Sequence, residues 1–139
     1  MTSLTNSSAA IAPNEPPASL EAFVARNISS KVFRAEIVKR SGNNRIYRVQ
    51  TNRGPFAVKL YPTDATDPRD RFGQETAAFS FLNKHLGDQN HKVPALLGTD
   101  SEIKAAIFEW IDGESISRID GNGLQQAIEF VQCLKNLAN

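Results

Sequence analysis

Large apolar side chains are almost absent from the first stretch of the chain, residues 1–19, which is rich in Ser, Thr, Asn, Ala and Pro. Such a segment cannot bury enough surface to offset the entropy of ordering, so a disordered tail is expected there. Leu20, Phe23 and Val24 then recur at helical spacing and predict a short helix over about 20–27, with Ser19 as its N-cap. Three alternating stretches follow: KVFRAEIVKR at 31–40, RIYRVQT at 45–51 and PFAVKLY at 55–61. They are separated by SGNN and NRG, whose residues tolerate the positive φ of tight turns, so the three read as an antiparallel meander. The pattern changes to a helical period in RDRFGQETAAFSFLNKHLG, 69–87, where Phe72, Phe79, Leu82 and Leu86 share one stripe and Gly87 stands at the C-cap position. HKVPALLGTD and KAAIFEW predict two more short strands that meet at a turn near 100–103. A polar, glycine-rich connection, in which IDGNG at 119–123 reads as a flexible turn, leads to a last helix over 124–138. The predicted whole is an α+β unit: a five-stranded antiparallel sheet with one packed helix, followed by a further helix.

Composition narrows the classes. With 139 residues, 40% hydrophobic and 22% charged, the chain can form one domain with its own core. A net charge of +1 lacks the basic excess of a nucleic-acid binder. No apolar run has the length of a membrane span, and the N-terminus has neither a secretory pattern nor the arginines of a mitochondrial address. A single cysteine, Cys133, excludes an intramolecular disulfide, and a cytoplasmic location is the expectation. The sequons at Asn6 and Asn27 carry no meaning in that compartment. His85 and His91 have no partners at ligand spacing, so no metal site is expected, and Cys133 reads as packing beside Phe130 and Val131.

Two charged residues break the pattern. Phe56, Val58 and Leu60 take one face of the third strand, which puts Lys59 on the other with Ala57 and Tyr61. Glu75 lies three residues after Phe72 and four before Phe79, inside the apolar stripe of the helix. A carboxylate there is costly to desolvate and calls for a cation, and Lys59 on the preceding strand is the candidate. Bland readings stand beside this one. Lys59 is equally at home on a sheet edge, where lysine blunts edge-to-edge pairing. Glu75 can reach Arg71 one turn away or extend to solvent. SGNN alone is a turn, Trp110 alone a core residue, and Asp112-Gly113 a strand-end turn.

A strand lysine paired with a glutamate on the following helix is the phosphate-handling arrangement of kinases. Four segments together resemble the aminoglycoside phosphotransferase family, the small-molecule branch of the protein-kinase-like fold. GNNRIYRV, 42–49, is similar to that family's phosphate-loop hairpin, which implies nucleotide contacts from Gly42, Asn43 and Asn44. FAVKLY, 56–61, resembles the strand bearing the ATP lysine, so Lys59 would meet the α- and β-phosphates while Ala57 leaves room for a flat base. RFGQETAAFSFL, 71–82, resembles the helix whose glutamate, here Glu75, pairs with that lysine. IFEWIDGES, 107–115, resembles the last strand and hinge, where Glu109, Trp110 and Ile111 would border the base.

The resemblance implies a kinase N-lobe over 20–112 and, over 113–139, a linker and the first helix of a truncated C-lobe. It implies ATP as cofactor, with GTP left open, a small hydroxylated acceptor, and Mg2+ only together with the missing lobe. The sequence departs from the pattern in two ways. The hairpin carries one glycine, Gly42, and no catalytic-loop aspartate with its following asparagine is present. HLGDQN, 85–90, has the wrong spacing and precedes the hinge, so it reads as a helix end and loop. The chain is thus expected to hold nucleotide without carrying out transfer by itself, as part of a longer enzyme. The alternative is a non-catalytic N-lobe relic acting as a binding or regulatory module. The apolar side of helix 124–138 would in either case be free to meet the missing lobe or a partner.

Overall fold

The computed structural model describes residues 17–41, 44–63, 68–86, 93–113, 118 and 120–137. In chain order the elements are α1 (Ala18–Ile28), β1 (Val32–Ser41), β2 (Asn44–Thr51), β3 (Gly54–Leu60), α2 (Arg71–Leu86), β4 (Leu96–Asp100), β5 (Ala105–Glu109) and α3 (Gly121–Leu137). The strands form the expected five-stranded antiparallel sheet, in the order β1-β2-β3-β5-β4. β3 is therefore the central strand, which removes the edge-strand reading of Lys59. β5 inserts between β3 and β4, a non-local pairing that no turn signal announces.

Strand alternation gives the sheet two unlike faces. On one, Tyr47 and Val49 of β2, Val58 and Leu60 of β3, and Ala105 and Ile107 of β5 form the larger core with Leu20, Phe23, Val24 and Ile28 of α1. On the other, Ala106 and Phe108 join Tyr61, with Phe72 and Phe79 of α2 packed against them. Each face is thus covered by one helix, and the second is the face that carries Lys59.

The helix boundaries depart from the sequence pattern at their starts. Ser19 is not the cap of α1: the helix begins at Ala18 behind Pro17, so residues 18 and 19 of the expected tail are helical, and residues 1–16 lie outside the described residues. α1 is closed by Ser29 as its C-cap, left-handed at φ 56°, an unfavourable conformation for a residue with a Cβ. The end is tied down by Arg53 Nη1 donating to the Ile28 carbonyl at 2.7 Å and by the Asn52 N–H donating to Ser30 Oγ at 3.0 Å. Those donors sit in the β2–β3 turn, where Gly54 at φ 104° supplies a backbone that only glycine adopts freely.

α2 starts at Arg71 rather than 69, with Asp70 Oδ1 accepting from the Gly73 N–H at 2.9 Å as an N-cap. α3 starts the same way, three residues before the expected 124: Asp120 Oδ1 accepts from the Gly123 N–H at 2.7 Å. Residues 121–123 are therefore the first turn of a helix and not a flexible turn. Gly87, Asp88, Asn90 and His91 lie outside the described residues. No helix among the described residues is long and apolar enough to cross a membrane.

Candidate functional site

Lys59 and Glu75 meet as their anomalous positions require. Lys59 Nζ lies 2.8 Å from each carboxylate oxygen of Glu75, so the ammonium is held bidentately. The side chains are 17% and 34% exposed, enough burial to strengthen the pair and enough access for a ligand to reach it. The register explains the meeting. Ile46 of β2 is opposite Lys59, and Ala106 of β5 flanks it on the other side, so Lys59 rises from mid-sheet toward α2. Phe72 and Phe79, three before and four after Glu75, anchor that helix on Tyr61 and Phe108.

The pair forms the charged wall of a cavity of about 360 Å³, within the roughly 300–1,000 Å³ typical of small-molecule pockets. The remaining walls are mostly apolar: Ile46 and Ala57 from the sheet, Phe79 from α2, Pro94 and Phe108, and the segment Glu109–Ile111. Of the sequence-predicted residues, Ala57, Lys59, Glu75, Glu109, Trp110 and Ile111 all border this one cavity. Gly42 and Asn43 lie outside the described residues, and Asn44 is the first residue of β2, paired with Ser41.

Glu109 is more engaged than expected of a hinge residue. Its backbone N–H donates to the Ala95 carbonyl at 3.0 Å, and its Oε1 accepts from the Ala95 N–H at 2.8 Å. That N–H is spent within the sheet and is not free to bind a ligand. Trp110 is stacked under the Arg48 guanidinium, 5.2 Å from the ring centroid, and donates from Nε1 to Asp112 at 2.9 Å. Arg48 is on the same face of β2 as Ile46, opposite Ala57. The contact therefore braces the segment after β5 against the sheet.

Sequence reasoning missed four lining residues. Ile46 was recoverable: with Asn52 and Arg53 as a two-residue turn, Thr51 faces Gly54, and counting back puts Ile46 opposite Lys59. Phe108 was recoverable by alternation along β5. Phe79 was recognised only as core, and Pro94 carries no signal, because its placement comes from Asn83 Nδ2 donating to its carbonyl at 3.2 Å. Tyr61 was placed on the right face but given no part; its ring lies against the Lys59 ammonium at 4.7 Å. Burial, and then the Glu75 charge beside it, push its hydroxyl well above the ordinary tyrosine value.

Among the described residues no three His, Cys, Asp or Glu side chains come together as a metal site.

The sequence profile of the phosphotransferase enzyme family matches residues 35–138. Among solved structures, the fold is similar to that of a protein from Thermobifida fusca YX-ER1 provisionally described as a fructosamine-3-kinase. The identity is 25% and the TM-score 0.56, over 73% of this chain and 34% of that one. The chain spans about a third of the length of that relative. No curated protein matches it.

Proposed function

Because the chain belongs to the phosphotransferase enzyme family, we propose that it is the nucleotide-holding portion of a small-molecule kinase that transfers the γ-phosphate of ATP to a hydroxyl. The observation that carries this reading is the bidentate Lys59–Glu75 pair at the wall of an otherwise apolar cavity. An apolar slot suits a flat base, and a lysine fixed by a carboxylate suits the phosphates attached to it. The base lies against Ala57 and Ile46. Its edge meets the hinge through the Glu109 carbonyl and the backbone of Trp110 and Ile111, since the Glu109 N–H is already bonded. Readout through backbone groups leaves ATP preferred on family grounds and GTP as the competitor to test. Mg2+ belongs with the phosphates and with acidic residues of the remaining enzyme. Likeness to a protein described as a fructosamine-3-kinase supports a sugar-like hydroxyl compound as the acceptor class.

In the full-length enzyme, Lys59→Ala is expected to lower turnover by ~10²-fold or more, the scale of losing one preorganised charge at a reacting group. Unchanged turnover and ATP affinity would overturn the role. A second reading is a nucleotide-binding module without catalysis, whose partner surface would be the exposed Leu124, Ile128 and Val131 of α3. The mass of the natural gene product separates the two readings. A product much larger than 139 residues supports the kinase, and one of this size supports the module.

A further inference from the structure

Tyr61 follows the last residue of β3 and continues its alternation, so its ring shares the face of Ala57 and Lys59. The residue is only 4% exposed. The Lys59 ammonium lies 4.7 Å from its ring centroid while Glu75 holds the same ammonium through both carboxylate oxygens. The ring is itself fixed. Phe72 meets it edge-on at 5.5 Å and 81°, and the Tyr61 N–H donates to the Lys104 carbonyl at 2.9 Å. Phe72 and Glu75 are three residues apart on α2, so a single helical turn both supplies the carboxylate and locks the ring. The hydroxyl is buried and makes no well-formed hydrogen bond, although Glu75 is near enough to raise its pKa. It therefore contributes little to holding the residue in place; the ring does.

Resting on the nucleotide reading above, we propose that Tyr61 is a positioning residue for Lys59: its aromatic face is the second support that holds the ammonium against the cavity. A carboxylate alone lets a flexible four-carbon side chain swing about the pair, whereas a ring face on another side restricts that swing. Loss of the ring should therefore weaken contact with the phosphates and leave the base subsite intact. Loss of the hydroxyl alone should do neither.

The test compares Tyr61→Leu and Tyr61→Phe in the 139-residue chain, with Tyr61→Met replacing the leucine variant if that one does not fold. The first readout needs no nucleotide. The Nζ–H resonance of Lys59, assigned by its loss in Lys59→Met, persists only while the ammonium is held against exchange. It is expected in wild type and Tyr61→Phe and to be broadened away in Tyr61→Leu. The second readout is binding of metal-free ATP and of adenosine, followed by the fluorescence of Trp110, the only tryptophan. Tyr61→Leu should weaken ATP by about three- to tenfold, the scale of a partly desolvated cation–π contact, with adenosine unchanged. A persisting resonance in Tyr61→Leu, or equal weakening of ATP and adenosine, overturns the proposal. A wild type that binds ATP no better than adenosine overturns the nucleotide reading instead. The resonance then decides the role of Tyr61 by itself, its loss in Tyr61→Leu supporting that role.

Discussion

Replacing Glu75 by glutamine preserves the shape of the side chain and removes the charge on which both 2.8 Å contacts with Lys59 depend. The pair is mostly but not fully buried, so its loss is expected to cost about 1–2 kcal/mol of stability, between the worth of an open pair and that of a buried one. Urea unfolding measures this, and a midpoint identical to wild type would show the pair to be energetically idle. Tyr61 makes a prediction in alkali. Burial and the Glu75 charge let the folded chain keep the phenolic proton to higher pH than the unfolded chain, whose tyrosine titrates near its ordinary value of 10.0. Stability from this group is therefore complete below that pH and falls as pH rises above it. Tyr61→Phe should show a shallower decline of melting temperature above that point, and parallel curves would contradict the burial argument. The pair itself was legible in the sequence because a charge between Phe72 and Phe79 on one helical stripe is a local contradiction. Tyr61 was not, since a tyrosine on a half-buried strand face contradicts nothing. Its contact with Lys59 depends on how Phe72 turns the ring, which no period encodes.

Among the elements, the strands were read closely and the helix starts were not. Alternation and two short turns fix β1 to β3 within a residue, because one slip would move every side chain to the wrong face. Helix starts depend on a single side chain meeting a single N–H. Asp70 and Asp120 sit in polar, glycine-bearing stretches that look like loop until the bond to Gly73 or Gly123 is seen. The consequence is measurable. Asp70→Ala should cost about 0.5–2 kcal/mol, with Asp70→Asn recovering most of it, as expected of an N-cap. Hydrogen exchange at the Gly73 amide should speed up in the alanine variant alone. A second element-level constraint lies at Gly98 of β4, beside a register shift, where an added Cβ would run into the Asn27 side chain of α1. Asn27 is committed to the Phe23 carbonyl at 2.9 Å, so it cannot yield freely. Gly98→Ala should lower the urea midpoint by separating β4 from α1, and an unchanged midpoint would mean that the helix end gives way at no cost.

At the scale of the molecule, the two faces of the sheet divide the work. One is closed by α1 over the main core, and the other leaves room between α2 and the sheet for the cavity. That division was not legible in the chain, because it depends on β5 entering beside β3 and on α1 crossing to the far face. Both are non-local choices. α3 stands outside both layers and is not packed extensively on any other described element. Leu124, Ile128 and Val131, at spacings of four and three, are 53%, 43% and 61% exposed and form one continuous stripe. Such a face on a chain in water raises its free energy by an amount proportional to the apolar area left wet, and association relieves it. The 139-residue chain is therefore expected to bind the dye ANS and to sediment with a concentration-dependent mass. Ile128→Glu with Val131→Glu should suppress both while leaving the urea midpoint of the sheet unchanged, because those side chains support nothing in the two cores. A falling midpoint would instead show that α3 is packed on the domain in solution. In that case the stripe would be part of the core and not a surface.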